Sequence, residues 1–135
     1  AVRLPSALFA VAVAAAATAV TLNADSYDAA RWTAGQEAVR AGYAAGTVDA
    51  GFEWVGSHTA AVAQPGRRAR GAPSYEKWYV EMFPGSHECA VVAASALPVS
   101  SLRLLGTARY EELGFAVPEH LYIYGVVAAS CPPLR

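Results

Sequence analysis

The residues of this sequence that could do acid–base chemistry lie together in one stretch, VDAGFEWVGSHTA, which runs from Val48 to Ala60. Asp49, Glu53 and His58 supply two carboxylates and an imidazole, groups that commonly exchange protons with a substrate. Such groups often follow a strand end in α/β sheets, and the aromatic residues between them offer a flat face to a sugar ring. One interpretation of the stretch is therefore a contact for a ligand or acceptor.

The other interpretation is architectural. Gly51 would close a turn after a short strand, Phe52 and Trp54 would pack into the core, and Glu53 would pair with an arginine. Because the spacing indicates neither a nucleophile with its base nor a pair of carboxylates, we assign no catalytic residue and favour architecture. Four residues stay candidate contacts for a ligand or acceptor: Asp49, Glu53, Trp54 and His58.

Two further patterns could suggest chemistry, and neither predicts a site. Ser74 and Lys77 match the Ser-x-x-Lys pattern of penicillin-binding enzymes, but the Ser-Asp-Asn and Lys-Thr-Gly partners of that pattern are missing, so Ser74 is better explained as a helix cap. Three histidines and one cysteine fit no closed zinc spacing: His58, His87, His120 and Cys89. We predict no metal and no cofactor.

The composition excludes a nucleic-acid partner. The chain has 135 residues, enough for one domain, and its 10 basic and 11 acidic residues give a net charge of -1. The basic run Arg67, Arg68, Arg70 is short and lies among glycine and proline, which is typical of a solvated loop. The sequence provides no positive field that would attract a polyanion.

An apolar run from Leu4 to Leu22 contains no charged residue and as a helix would span about 28 Å, close to the thickness of the bilayer hydrocarbon. It has two interpretations. A transmembrane helix rich in small residues would pack closely against neighbouring helices. A secretory signal peptide would use Ala17-Thr18-Ala19 as its cleavage site.

Both interpretations export everything after about residue 24. Arg3 before the run and two aspartates after it place the N-terminal side in the cytoplasm. We therefore predict a transmembrane or signal-like helix over 1–24 and an extracytoplasmic domain over 25–135. Cys89 and Cys131 are the only cysteines, and both fall in the exported part, which favours a disulfide between them over the alternative of two buried free thiols.

The pattern after the apolar run predicts a small α+β domain. Asp25 or Ser26 would cap a helix that ends near Ala41 with Gly42 as its left-handed cap, unless this helix simply continues the apolar one. Its packing face is predicted to carry Trp32, Gly35 and Val39, with Ala38 beside them. Short strands are predicted at 47–50, 90–94, 102–110 and 121–127, and the first two would be parallel if a helix joins them in a right-handed crossover. The segment 52–63 is either a helix or an irregular turn, and a further short helix is predicted at 74–83. The fold class is α+β, with a mixed sheet of about four strands and two or three helices.

The segment YDAARWTAGQEAVRAGYAAGTVDAGFEWVG, Tyr27 to Gly56, resembles a known family. It is similar to the C-terminal extracytoplasmic segment of bacterial, especially actinobacterial, polytopic membrane glycosyltransferases related to protein mannosyltransferases. There a final membrane helix leads to an Arg-Trp helix, a glycine turn and a Val/Ile-Asp-Ala/Gly-Gly-Phe/Tyr-Glu-Trp motif. The matching residues here are Arg31-Trp32, Gly42 and Val48 to Trp54. The later CAVVAAS, LYIY and terminal Ser-Cys-Pro segments are also similar, so the resemblance extends over essentially the whole chain.

The resemblance implies a GT-C-type transferase that moves a sugar from a polyprenyl-phosphate donor to an acceptor outside the cytoplasm. In such enzymes the catalytic carboxylates lie in early extracytoplasmic loops, so none is assigned in this segment. The implied partners are membrane lipid, upstream transmembrane helices of the same protein, and a glycan or lipid-linked sugar. Two rivals remain: a free-standing secreted or singly anchored binding domain, and an autonomous enzyme that uses Glu53 and His58.

Overall fold

The structure is a computed structural model that describes residues 4–59, 88–97, 99–111 and 118–131. Helix α1 spans Leu4–Arg40, and a short 3₁₀ helix, Ala45–Thr47, leads into strand β1, Val48–Asp49. The remaining elements are helix α2 at Phe52–Thr59 and strands β2 at Ala90–Ala93, β3 at Leu102–Glu111 and β4 at Pro118–Val126. The fold is α+β, as the sequence predicted. The predicted 74–83 helix and the arginine-rich loop lie outside the described residues.

Helix α1 is continuous, so the apolar run and the next predicted helix are one element of 37 residues. Pro5 lies in its first turn, where a missing backbone N–H costs nothing. The helix ends in a Schellman motif: Gly42 has φ 104°, its N–H donates to Val39 O, and Tyr43 N–H donates to Ala38 O. The predicted glycine cap is confirmed.

The two halves of α1 have different surroundings. Residues 5–18 are all exposed, and large apolar side chains such as Leu8, Phe9 and Val20 are more than half accessible. By length and composition this helix is able to cross a membrane. The second half packs against the sheet, so one rigid element joins the apolar segment to the domain.

The packing face of that second half agrees with the predicted one at Gly35 and Ala38 and differs from it at Trp32 and Val39. Ala30, Ala34 and Ala38 are buried at helical spacing, whereas Trp32 and Val39 are 39% and 37% exposed. Gly35 is buried, as predicted. The prediction chose the largest apolar residues, but the sheet lies so close to the helix that the contact line accepts only small side chains.

The four strands form one mixed sheet in the order β1-β2-β4-β3. Strands β1 and β2 are parallel, as predicted, while β4 pairs antiparallel with both β2 and β3. The β2 residues are all buried, which explains why AVVA reads as a continuous apolar run. In β4, Leu121 and Ile123 are buried in the core that packs on α1, and Tyr122 stacks against Tyr124 as alternation requires.

A disulfide joins Cys89 to Cys131, as predicted. Cys89 immediately precedes β2, and Cys131 follows the last strand, so the bond ties the centre of the sheet to the end of the described chain. Backbone hydrogen bonds from Cys89 N–H to Thr47 O and from Val126 N–H to Cys89 O hold the same point from both sides. The end of β4 is therefore fixed beside β1 and β2.

Candidate functional site

The stretch with the candidate acid–base residues contains β1, a tight turn and α2, and helix α1 lies against the turn. Arg31 of α1 donates a hydrogen bond from Nε to Ala50 O at 3.1 Å. Gly51 has φ 107°, and a β-carbon there would overlap the guanidinium group of Arg31. Glycine is required at this position both for its backbone conformation and for the space that Arg31 occupies.

Asp49 stabilises the turn from within. Its side chain is 1% exposed, and Oδ1 accepts a hydrogen bond from Gly51 N–H at 2.9 Å. This carboxylate also lies just before the N-terminus of α2, where negative charge is favourable. Asp49 is therefore shielded from a bulky ligand, and its observed contact is with the chain itself.

Trp54 joins α2 to the rest of the domain. It is 3% exposed, and its Nε1 donates to Ala45 O at 3.1 Å. A β-carbon on Gly35 would lie 2.8 Å from both Ala50 Cβ and Trp54 Cε3, so this glycine allows α1 to approach α2 closely. The indole is part of the core, as the architectural interpretation predicted.

The other two candidates, Glu53 and His58, lie at the surface. The Glu53 side chain is 64% exposed, and its Oε2 is 3.7 Å from Arg31 Nη2, so the arginine partner predicted for Glu53 is Arg31. His58 stacks on Trp54 with ring centroids 4.1 Å apart. Its Nδ1 lies 2.8 Å from Trp54 O, a geometry that favours the tautomer with a proton on Nδ1.

Arg31 is the residue that sequence reasoning missed as the centre of this site. Besides Ala50 O and Glu53, it contacts Asp28 at 3.2 Å and lies 5.5 Å from the ring centroid of Tyr27. One feature of the sequence pointed to Arg31: this helical arginine and the strand–glycine turn both belong to the segment that carries the family resemblance. Only the fold shows that the two meet.

An aromatic cluster borders the turn. Trp32 meets Trp54 edge to face at 4.9 Å and lies 5.8 Å from the ring of His58. Trp32 is 39% exposed, so part of the cluster faces solvent. The architectural interpretation was wrong about Phe52, which it placed in the core: Phe52 is 42% exposed, because the first turn of α2 buries Trp54 and Val55 instead. The polar groups of Glu53 and His58 near this cluster make intramolecular contacts, with Arg31 and with Trp54 O.

The residues weighed for a metal do not come together. Cys89 is in the disulfide, His120 lies on β4 opposite Arg109, and His58 is on α2. His87 lies outside the described residues. Across 4–59, 88–97, 99–111 and 118–131, no three His, Cys, Asp or Glu residues are grouped to hold a metal ion.

Comparison of the chain with protein-family models, with curated proteins and with solved structures finds no match.

Taken together, the turn from Asp49 to Trp54 locks three elements to one another: β1, α2 and the second half of α1. Its hydrogen bonds join Asp49 to Gly51 and Trp54 to Ala45, and the exposed carboxylate of Glu53 lies 3.7 Å from Arg31 Nη2. The geometry is that of a structural joint beside a partly exposed aromatic surface.

Proposed function

We propose that this chain is the C-terminal part of a glycosyltransferase-like membrane protein that uses a polyprenyl-phosphate-linked sugar donor. In this proposal the apolar half of α1 crosses the cell membrane as the last membrane helix. The α+β domain then lies outside the cytoplasm, carries no catalytic residue and braces the membrane part or shapes the access of the acceptor.

One observation carries the proposal: α1 is a single helix whose first half is apolar and exposed while its second half is built into the domain. A soluble protein would lose free energy by leaving so many large apolar side chains in water, at about 25 cal/mol per Å². A bilayer removes that cost, and the unbroken helix then holds the domain directly at the membrane surface.

The disulfide supports an extracytoplasmic position for the domain. Disulfides form and persist in oxidising compartments and are rare in the cytosol. Both cysteines lie on the same side of the apolar segment, so one orientation of the helix exports the whole bonded loop.

The resembling residues support the non-catalytic role. Arg31, Gly42, Asp49, Gly51 and Trp54 each make or permit a contact that ends a helix, closes a turn or joins α1 to the rest of the domain. A motif whose residues make such contacts acts as a structural joint, and the catalytic groups of the proposed enzyme would then lie elsewhere in the protein.

Topology is tested with single added cysteines in cells that express the full chain. The native pair is bonded, so a membrane-impermeant maleimide reports only on the added thiol. Ser57→Cys, at an exposed site on α2, is expected to react in intact cells, and Arg3→Cys only after the cell membrane is permeabilised. The opposite pattern would place the domain in the cytoplasm and end the proposal.

The transferase assignment needs its own test. Genomic DNA upstream of the Ala1 codon is expected to continue the reading frame through many hydrophobic spans. Membranes that hold the entire encoded protein should transfer sugar from a polyprenyl-phosphate donor, and Glu53→Gln should leave that rate unchanged. A soluble mature form beginning after Ala19 would instead support the secreted binding domain, and loss of the rate in Glu53→Gln would support an enzyme that uses this site.

A further inference from the structure

The edge strand β3 runs alongside helix α1 in the opposite direction. Near the start of the strand, Arg103 lies close enough to Tyr43, just beyond the end of α1, for its positive charge to lower the pKa of the Tyr43 phenol. At its other end, Tyr110 meets Tyr27 edge to face at 5.4 Å, and Ser26 Oγ donates to Glu111 O at 3.0 Å. These contacts fix which end of the sheet points toward the apolar half of the helix.

The lengths of the two elements agree with this alignment. From Ser26 to Arg40 the helix rises about 21 Å at 1.5 Å per residue. From Arg103 to Glu111 the strand rises about 26 Å at 3.3 Å per residue. The β3–β4 end, where Glu111 is paired with Pro118, is therefore the end of the sheet nearest the apolar segment, and the end at Leu102 is the farthest.

The distance from the apolar segment to this end is short. Ser26 and Tyr27 follow Leu22 by four and five residues, a rise of about 6 to 8 Å along the helix. The headgroup layer on each side of a bilayer is itself about 5 to 8 Å thick, given a hydrocarbon core of about 30 Å within a total of 40–45 Å. If the hydrocarbon core ends at Leu22, the headgroup layer lies at the height of Tyr27 and Tyr110.

We propose that the β3–β4 end of the domain is a membrane-contact surface that lies in the phospholipid headgroup layer. Tyr27 and Tyr110 form its aromatic part, since tyrosine favours the interface between hydrocarbon and water. Arg109, Glu119 and His120 form its polar part and are exposed in the structure. This inference rests on the proposal that α1 crosses the membrane.

The charges at this end favour a zwitterionic headgroup. Arg109 lies 3.7 Å from Glu111, and Arg31 lies 3.2 Å from Asp28, so both cations already face carboxylates. Asp25 and Glu119 add further negative charge at the same height. Anionic lipid would be repelled rather than attracted, so the contact is set by the geometry of the helix and by the tyrosines.

Fluorescence quenching in phosphatidylcholine vesicles tests the surface with the full chain. Single added cysteines carry an environment-sensitive fluorophore at Glu119→Cys and, on the other sheet face, at His120→Cys. Ser100→Cys, just before β3 at the far end of the sheet, is the matched control, and Val13→Cys reports on the middle of the apolar helix. One lipid carries a nitroxide on its headgroup and a second carries it deep in the acyl chain.

Labels at 119 and 120 are expected to lose most of their emission to the headgroup nitroxide, whereas the label at 100 keeps its emission. Equal emission at 119, 120 and 100 would overturn the membrane-contact surface. The Val13→Cys label separates this failure from a failure of the spanning helix, because only a spanning helix is quenched there by the acyl-chain nitroxide. Stronger quenching at 119 and 120 after addition of anionic lipid would also contradict the inference.

Discussion

The guanidinium group of Arg31 occupies the space where a side chain on residue 51 would have to lie. Arg31 belongs to α1 and Gly51 to the turn before α2, so this contact joins the long helix to the β1–α2 unit. Arg31 Nε donates to the carbonyl of Ala50, the residue next to that glycine. The joint therefore depends on one large cation and on the absence of one β-carbon.

Substituting Gly51 should cost more than substituting Gly42. Both glycines have φ above 100°, so Gly42→Ala measures the backbone strain alone, about 1–2 kcal/mol, because no atom lies within 4 Å of its added β-carbon. Gly51→Ala should add about 1–3 kcal/mol by displacing Arg31 from Ala50 O. Chemical unfolding of the full chain in detergent, followed by tryptophan fluorescence, measures both. Equal costs would mean that Arg31 contributes nothing to the joint.

Arg31 and Glu53 should contribute very unequally to stability, although they face each other. Arg31→Ala removes the hydrogen bond to Ala50 O and leaves that carbonyl unsatisfied, which should cost about 1–3 kcal/mol. Glu53 is exposed and 3.7 Å from Arg31, so Glu53→Gln should change the free energy of unfolding by at most about 1 kcal/mol. The same unfolding assay decides, and a larger loss in Glu53→Gln would contradict the placement of Arg31.

Reduction of the disulfide should destabilise the domain substantially. Cys89 and Cys131 are 42 residues apart, and closure of a loop of that length restricts the unfolded chain by about 4 kcal/mol in the entropic account. Cys131→Ser should lower the free energy of unfolding by about 2–4 kcal/mol and make it insensitive to dithiothreitol. The original chain should lose a similar amount on reduction. No response of the original chain to reductant would show that the bond is absent in solution.

Alkaline pH should weaken the fold through Tyr43. Burial raises the pKa of the Tyr43 phenol above its ordinary value of 10.0, and the charge of Arg103 opposes part of that rise. The folded state then holds this proton more tightly than the unfolded state, so the stabilisation is complete below pH 10 and is lost as the pH rises through the higher folded pKa. Tyr43→Phe should flatten the decline above pH 10.

The same variant carries its own control at neutral pH. Within the described part of the chain the buried Tyr43 hydroxyl makes no hydrogen bond, so its removal should leave the free energy of unfolding nearly unchanged at pH 7. Thermal unfolding measured at several pH values gives both results. An unchanged alkaline slope in Tyr43→Phe would assign the loss of stability to other groups.

Local sequence patterns predicted the helices and strands well, but they predicted the packing of α1 against the domain less well. The apolar run AVVA, the alternation in β4 and the glycine after α1 each encode local structure, and each appears where predicted. The predicted packing face of α1 was wrong at Trp32 and Val39, because alanine is only weakly apolar and periodicity gave more weight to these two residues than to Ala30 and Ala34 at the contact.

The candidate site shows a second limit. Asp49, two residues before Gly51, suggests a ligand contact, and only the fold reveals that its carboxylate accepts a hydrogen bond from the Gly51 N–H. The contact between Arg31 and the turn links positions about twenty residues apart and on different elements, so no local period encodes it. The disulfide was predictable because two cysteines in one exported segment leave a single pairing.

The unbroken helix has a mechanical consequence. Between Leu22 and Asp28 it contains neither glycine nor proline, so it has no hinge where the apolar segment meets the domain. The part of the helix from Leu22 to Arg40 is about 27 Å long, so a tilt of the whole helix by about ten degrees would displace its end at Arg40 by about 5 Å. Rotation of the apolar segment about its own axis would turn the sheet through the same angle.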